Sequence, residues 1–403
     1  MSHEVSRLLT NIKRLWTGVG EPLEHVAVLV EDGVIGWVGD QDDAPDADIV
    51  DDCRGGLVTP GFVDTHTHPV YAGDRAPEIA LRSTGARYAE IAAMGGGIAA
   101  TVRATRAAPW DQLRAGLRAR LVDFVQSGST TMEAKTGYHL TRDGELDAVR
   151  LLADLAGDPV LPRLSVTFLA AHAMPPDYTG SRDDYTDEAA SWSAAAREAG
   201  ADNVDVFCDE GYFTTDQSRR VLQAGIDAGL RPRVHADELA RTGGAQLAAE
   251  LRCLSADHLL KVTPEDADAL AAANVAAVVC PGTSLQLRAA PPVRMLLEHG
   301  VTVALGTDHN PGQCGSTSMS LMISLAVAVF RMSVTEALHA ATAGAATALG
   351  LDDRGVVREG ALGDLVWWDA AHEGSFAWAF RLEPRQVWRG GVPVLPADLE
   401  ALV

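Results

Sequence analysis

The chain has 403 residues, of which 47% are hydrophobic, and it carries a formal net charge of -22. This length and composition fit one large domain with a buried core and a smaller appendage. The negative charge is spread along the sequence and repels nucleic acid and anionic membranes, so neither is expected as a partner.

The first residues, MSHE, do not lead into a basic and then an apolar stretch, so no secretory signal is expected. No apolar run reaches the roughly 20 residues of a transmembrane helix. Five cysteines are scattered and form no C-x-x-C pair, which argues against a disulfide framework and a thiolate metal site. These features predict a cytoplasmic protein.

Short strand-like runs fill the first 58 residues. Residues 26–30 and 34–39 flank an E-D-G turn and predict a β-hairpin, and a third run ends at Val58. A Pro-Gly pair then marks a break, so residues 1–58 are assigned to a small β domain.

Residues 59–355 follow a different rhythm, in which short apolar runs alternate with helical stretches rich in Ala, Leu, Arg and Glu. This pattern predicts eight βα units with buried parallel strands, which close most naturally into a (β/α)8 barrel. An open doubly wound sheet would require a Gly-rich phosphate turn after the first strand, and none occurs there. The predicted strands end in residues 64–66, 132–135, 170–172, 207–210, 234–238, 256–258, 279–282 and 306–308.

The last segment, residues 356–403, contains a strand-like run at 363–369. It follows a helix that Ser333 and Glu336 open with a capping-box pattern. We expect the C-terminal strands to rejoin the N-terminal ones, so that both terminal segments form one small β-sandwich domain beside the α/β barrel.

Four strand-end residues form a candidate metal site. Residues two apart in a strand point to the same side, so His66 and His68 present two imidazoles to one ion. Such a pair alone is more often a packing feature, but His235 and Asp308 end two further strands of the same barrel. Three imidazoles and one carboxylate suit zinc or iron better than magnesium or calcium, so one divalent or trivalent transition metal ion is the predicted cofactor.

A catalytic metal needs a position for water and a neighbouring group that moves the proton. Glu238, three residues after His235, is the candidate proton shuttle, and its alternative role is an ion pair. His258 could orient the water or hold an oxyanion, or it could be a buried structural histidine. Asp308 could act as ligand and base in turn, and Asp257 could orient a ligating histidine.

The segments that carry these residues resemble the amidohydrolase superfamily and, within it, the imidazolonepropionase family of histidine degradation. Residues 59–68 (TPGFVDTHTH), followed by AGDR at 72–75, are similar to the opening signature of that family. The likeness runs through the whole barrel. Further similar stretches are GGGI at 95–98, TVRATR at 101–106, EAKTGY at 133–138, AAH at 170–172, HADE at 235–238, SADH at 255–258 and DHNPG at 308–312.

The resemblance implies a small-molecule substrate with a carboxylate tail. The implied reaction is hydrolysis of 4-imidazolone-5-propanoate to N-formimidoyl-L-glutamate, in which activated water attacks the ring carbonyl and a ring C–N bond breaks. Arg75 and Tyr138 would then grip the tail, a role that suits a guanidinium and a phenol. The substrate contacts that the resemblance implies are Arg75, Tyr138, His172, Glu238, Asn310 and Gly312.

Three positions depart from the family pattern: His139 replaces a usual glycine, His309 a common apolar residue, and Gln313 a small hydroxyl residue that normally binds substrate. They keep open a deaminase or ring-opening hydrolase of another cyclic amidine or hydantoin-like ring. A non-catalytic barrel would predict loss of several metal ligands, and all four are present. We expect a homodimer, because symmetric dimers are the commonest oligomers of soluble proteins.

Overall fold

A computed structural model describes residues 5–85 and 95–394. Its strands are β1 (Arg7–Leu15), β2 (Leu23–Glu31), β3 (Val34–Asp40), β4 (Ile49–Pro60), β5 (Phe62–Asp64), β6 (Ser129–Lys135), β7 (Arg163–Ala171), β8 (Asn203–Cys208), β9 (Arg231–Pro232), β10 (Val234–Ala236), β11 (Ser255–His258), β12 (Ala276–Val279), β13 (Val303–Leu305), β14 (Leu365–Trp368), β15 (Pro384–Arg389) and β16 (Val392–Val394). Its helices are Ala76–Ser83, Ile98–Ala107, Trp110–Gln126, Arg142–Ala156, Arg182–Ser191, Ser193–Ala199, Thr215–Asp227, Gly244–Glu250, Pro264–Ala273, Pro281–Leu287, Val293–Glu298, Met319–Phe330, Val334–Ala341, Ala343–Ala348 and Ser375–Trp378, with a 3-10 turn at Gln41–Asp43.

Eight parallel strands form the barrel in the order β5, β6, β7, β8, β10, β11, β12 and β13, and the short β9 pairs with β8. Backbone contacts just beyond the strands join its first and last members. The Asp308 N–H donates to the His66 carbonyl at 2.9 Å, and the Thr65 N–H donates to the Leu305 carbonyl at 3.4 Å. The predicted (β/α)8 barrel is therefore confirmed, with nearly continuous buried strands as its parallel arrangement requires.

The helix Trp110–Gln126 illustrates how the sequence packs helices around the barrel. Its residues Leu113, Leu117, Leu121 and Phe124 are buried and recur every three or four positions. This spacing places them on one face, which contributes to the main apolar core. None of the helices within residues 5–85 and 95–394 combines the length and the apolar character that crossing a bilayer requires.

Both terminal segments meet in one mixed sheet of seven strands, in the order β16, β15, β14, β4, β1, β2 and β3. The predicted hairpin is the antiparallel pair β2 and β3. The predicted C-terminal strand is β14, which pairs antiparallel with β4. The small β domain built from both termini is confirmed in the form of this mixed sheet.

The strand β1 is not predicted by the sequence pattern. It pairs with β2 and β4, and both pairings change register near Asn11, whose φ of 53° is left-handed. Such an irregularity interrupts the alternation of buried and exposed side chains by which a strand is normally recognised. The capping box of the later helix is confirmed, since the Glu336 N–H donates to Ser333 Oγ at 3.1 Å and the Ser333 N–H to Glu336 Oε2 at 2.7 Å.

Candidate metal centre and substrate pocket

The four predicted metal ligands converge at the carboxyl end of the barrel strands. His66 and His68 follow β5, His235 lies in β10 and Asp308 follows β13. The Nε2 atom of His68 lies 3.2 Å from that of His66 and 3.4 Å from that of His235. Asp308 Oδ1 lies 3.6 Å from His66 Nε2 and 3.5 Å from His68 Nε2. All four side chains are buried.

These separations fit a single transition metal ion. Bonds of about 2.1 Å from nitrogen or oxygen to a tetrahedral ion would separate the donor atoms by roughly 3.4 Å. The measured separations run from 3.2 to 3.6 Å. His66, His68 and His235 form one group able to hold a metal ion, and His66, His258 and Asp308 form another. The side chains present therefore suit the metal that the sequence predicts.

Burial and nearby charge set the protonation of the three histidines. Burial is the main cause that lowers the pKa of His66 and His68 well below the ordinary value, so both imidazoles are neutral, as metal ligands must be. Burial also acts to lower the pKa of His235, but Asp205, whose Oδ2 lies 3.0 Å from His235 Nδ1, outweighs it and raises that pKa.

Asp257 does contact a histidine of the cluster, in the way considered from the sequence. Its Oδ2 atom lies 2.6 Å from His66 Nδ1. An Nδ1–H group that donates to a carboxylate fixes the ring and leaves Nε2 as the lone-pair nitrogen. On the opposite side, Thr283 Oγ1 donates to Asp308 Oδ2 at 2.5 Å. Asp205 and Thr283 are absent from the sequence predictions.

Glu238 and His258 lie beside the metal-binding group. His258 Nδ1 is 3.8 Å from Glu238 Oε1, and both side chains line the same pocket. Burial is the largest cause that raises the pKa of Glu238, while His258 opposes the shift. A raised pKa brings a carboxyl group closer to the range in which it both accepts and releases a proton.

A cavity of about 300 Å³ opens above the metal-binding group. This volume suits a small ligand. Its floor includes His68, His235 and Asp308, and part of its wall is apolar, with Ile98 and Leu287. The structure also brings five of the six predicted substrate contacts into this lining, namely Arg75, Tyr138, His172, Glu238 and Asn310.

The sixth, Gly312, packs against the guanidinium of Arg75. A Cβ atom at position 312 would lie 1.2 Å from Arg75 Nη2, so a side chain there would displace the guanidinium. Arg75 Nε and Nη1 are buried and make no hydrogen bond to the residues that the structure describes, although Glu78 Oε2 lies 3.8 Å from Nε. Buried donors without hydrogen bonds beside a cavity favour an anionic ligand.

Two buried carboxylates hold the loops that carry Tyr138 and Glu238. Glu145 accepts the backbone N–H groups of residues 137, 139 and 140, each at 2.8 Å. Asp209 accepts those of residues 238, 239 and 240 at 2.7, 2.8 and 3.0 Å. Neither carboxylate is predicted from the sequence, because each acts on a loop through backbone groups that have no sequence signature.

The three residues that depart from the family pattern occupy different surroundings. The His139 ring stacks on Trp110 with centroids 4.9 Å apart, and His309 Nε2 lies 3.1 Å from the Tyr71 hydroxyl oxygen. Gln313 lines the cavity, and its Oε1 atom is buried without a hydrogen bond to any described residue. Of the three departures, Gln313 is therefore the one placed to contact a ligand in the cavity.

A model of the amidohydrolase family matches residues 70–395. An imidazolonepropionase of Rhodococcus jostii is 42% identical over 96% of this chain and 93% of its own length. An imidazolonepropionase of Salinispora arenicola is 43% identical over 96% of this chain and 98% of its own length. The chain belongs to the imidazolonepropionase family of amidohydrolases. This imidazolonepropionase family member is thus a hydrolase, which is the class of enzyme that its strand-end residues predict.

Solved structures give the same fold for this member of the imidazolonepropionase family. It superposes on an N-isopropylammelide isopropylaminohydrolase from Burkholderia multivorans with a TM-score of 0.73 and 20% identity, over 97% of this chain and 98% of the other. An adenosine deaminase from Xanthomonas campestris, solved with bound zinc, has a TM-score of 0.71 and 20% identity, over 98% of this chain and 96% of the other. At this identity the likeness concerns the fold alone.

Proposed function

We propose that this protein hydrolyses 4-imidazolone-5-propanoate to N-formimidoyl-L-glutamate in histidine degradation. One water molecule is consumed, and the ring C–N bond next to the carbonyl breaks. The observation that carries the proposal is a buried group of three imidazoles and one carboxylate on the floor of a cavity whose wall includes the guanidinium of Arg75. Relatives that are named imidazolonepropionase and align over nearly the whole chain support it.

His66, His68, His235 and Asp308 would hold one zinc or iron ion, because these metals accept imidazole and carboxylate together. When bound, the ion supplies Lewis acidity, which polarises the ring carbonyl and activates water. Asn310 orients the carboxylate ligand, since its Nδ2 donates to Asp308 Oδ1 at 3.0 Å. Asp308 thereby keeps a fixed geometry as a ligand, and it would be the second candidate base for the attacking water beside Glu238.

Arg75 and Tyr138 would bind the propanoate tail, and Gly312 leaves the space in which the guanidinium lies. His172 would accept a ring N–H. Its Nδ1 lies 3.0 Å from the Gly137 carbonyl oxygen and donates to it, so Nε2 carries the lone pair. Burial and His235 lower the pKa of His172 to about 3, which keeps this ring neutral. The ring and tail would then be held in one orientation over the metal ligands.

Glu238 would move the proton. Its carboxylate takes a proton from the attacking water and passes it to the ring nitrogen that leaves the carbonyl carbon. His258, whose Nδ1 lies 3.8 Å from Glu238 Oε1, would donate to the oxygen that develops negative charge. The two residues thus divide proton transfer and oxyanion stabilisation between them.

A turnover assay tests the proposal. Purified protein with its metal content measured is incubated with 4-imidazolone-5-propanoate, and the loss of imidazolone absorbance is followed while mass spectrometry identifies N-formimidoyl-L-glutamate. We expect stoichiometric conversion. No turnover by protein with a full complement of metal would overturn the substrate assignment.

Gln313 favours a second candidate, a deaminase or ring-opening hydrolase of another cyclic amidine or hydantoin-like ring. Its buried Oε1 atom, without a hydrogen bond to any described residue, offers an acceptor where family members place a small hydroxyl group. A panel of such rings, assayed for ammonia release and ring opening, tests this alternative. Activity on a panel member with none on imidazolonepropanoate would favour it.

Gln313→Ala is expected to raise the KM for imidazolonepropanoate roughly fivefold and to leave kcat unchanged, because it removes about one neutral hydrogen bond, worth about 1 kcal/mol. Steady-state kinetics on the wild type and the variant measure both constants. A gain in kcat/KM instead would indicate that glutamine is adapted to a different ring.

The homodimer, the cytoplasmic location and the absence of nucleic-acid and membrane partners stay predictions, as do the domain boundaries after residues 58 and 355. Light scattering on the purified protein measures its molar mass and so tests the homodimer directly.

A further inference from the structure

A cluster of five charged side chains lies inside the barrel beneath the metal-binding group. All five are fully buried, and none lines the cavity that would hold the substrate. They comprise three acids and two bases, so the cluster is nearly balanced in charge. The charged cluster consists of Glu133, Lys135, Asp205, Arg233 and Asp257.

Lys135 connects the acids of this charged cluster. Its Nζ atom lies 2.8 Å from Asp205 Oδ2, 2.9 Å from Glu133 Oε1 and 3.7 Å from Asp257 Oδ2. These partners come from three different strands, β6, β8 and β11. Arg233 reaches one of the same carboxylates, with Nη2 3.5 Å from Asp257 Oδ2. A single ammonium group therefore joins three sides of the barrel interior.

Two of the acids also face predicted metal ligands. Asp257 Oδ2 lies 2.6 Å from His66 Nδ1, and Asp205 Oδ2 lies 3.0 Å from His235 Nδ1. Each carboxylate thus stands between Lys135 and the far nitrogen of a ligating ring. The Nδ1 atom of His68 is buried and has no hydrogen bond to the residues that the structure describes, and the His235 Nδ1 atom meets Asp205 at ion-pair distance without hydrogen-bond geometry. Lys135 therefore contacts both carboxylates that face the Nδ1 atoms of ligating rings.

We propose that Lys135 is a positioning residue for the metal centre. Its ammonium group holds the Asp205 and Asp257 carboxylates in place, and these fix the rings of His235 and His66 so that both Nε2 atoms face one ion. The physical reason is that a buried carboxylate that loses its counter-charge no longer has a favourable position in the barrel interior and turns towards water. That movement removes the acceptor that fixes the ligating ring.

The inference rests on the metal site of the proposed function, but it does not depend on which ring is hydrolysed. Lys135 lies outside the cavity lining and so does not touch substrate. Metal affinity is therefore the decisive measurement, and it is independent of turnover. A wrong substrate assignment would leave the metal measurements intact, whereas a wrong role for Lys135 would leave turnover by the wild type intact.

The experiment compares the wild type with Lys135→Met and Lys135→Gln. Each protein is stripped with a chelator and titrated with Zn²⁺ and with Co²⁺, whose visible spectrum reports ligand geometry. We expect the metal Kd to rise about 10- to 100-fold, as for other residues that orient a ligand, and the Co²⁺ spectrum to change. Wild-type affinity and spectrum in folded variants would overturn the proposal, even if thermal stability fell.

Glu145→Gln serves as the matched control, because Glu145 is equally buried but binds backbone N–H groups of residues 137–140. Its metal affinity and Co²⁺ spectrum are expected to match the wild type. If the Lys135 variants do not fold, Asp205→Asn and Asp257→Asn decide the question, since Lys135 acts through these two carboxylates. Weaker metal binding by both supports the proposal, and unchanged binding by both overturns it.

Discussion

Replacing Glu238 with glutamine is expected to lower kcat by about 10²- to 10⁴-fold, the usual contribution of a group that transfers a proton in the transition state. The amide has nearly the same shape and keeps the backbone hydrogen bond from residue 238 to Asp209. It cannot, however, accept the proton of the attacking water. Because Glu238 is outside the predicted metal-ligand set, metal content should change little, and rapid-quench assays of single turnovers measure the chemical step directly.

Glu210→Gln is the matched control for this prediction. Glu210 lies at the neighbouring strand end, but its side chain is exposed. Its variant should keep the wild-type kcat and metal content. A Glu238→Gln enzyme with kcat within a factor of a few of the wild type would assign proton transfer to another group, for which Asp308 and His258, 3.8 Å from Glu238, are the candidates.

Arg75→Ala is the second large effect. It removes a buried guanidinium from the carboxylate tail of the substrate, which costs on the order of 2–5 kcal/mol, or roughly 30- to 4,000-fold in kcat/KM. Arg75→Lys should recover part of the loss, since it keeps the charge but not the planar fork of donors. Steady-state kinetics with the acid and with its neutral amide separate tail binding from chemistry.

The comparison of the two substrates makes this prediction specific. The wild type should strongly prefer the acid over the amide, and Arg75→Ala should lose most of that preference. Arg114→Ala, which removes an exposed guanidinium paired with Asp154, should leave the preference unchanged. Equal losses on both substrates in Arg75→Ala would show that the residue supports the fold of the pocket and does not bind the tail.

Much of the architecture is predictable because it follows from local pattern. Runs of apolar residues, such as Ala276–Val279, predict buried parallel strands, and the polar residues that follow such runs indicate the face of the barrel that carries chemistry. His66 and His68 can be predicted as a pair for the same reason, since two residues that are two positions apart at the end of a strand point to the same side. Local pattern fails at Asn11, where the register change hides β1.

The supporting residues of the metal centre are not visible in the sequence for a different reason. Lys135 meets Asp205 and Asp257 only because β6, β8 and β11 curve around one barrel interior. Which side chains then meet depends on the stagger between strands that are distant in the chain, and this is a property of the closed barrel. Gln313 and His139 both depart from the family pattern, and the sequence alone does not rank them. The folded structure does, because Gln313 lines the cavity whereas His139 stacks on Trp110.

The loops that carry Tyr138 and Glu238 are held by the buried carboxylates of Glu145 and Asp209, whereas the metal ligands lie in β10 or just beyond the ends of β5 and β13. The side chains Tyr138 and Glu238 at the rim and the metal ligands at the floor of the cavity are therefore held by different parts of the structure. Exchange of a side chain on the loop that Glu145 holds, such as Tyr138, can therefore alter the substrate contacts without moving the metal ligands. The same arrangement makes Glu145 and Asp209 sensitive positions, since the loss of either carboxylate would leave three backbone N–H groups of a rim loop without their acceptor.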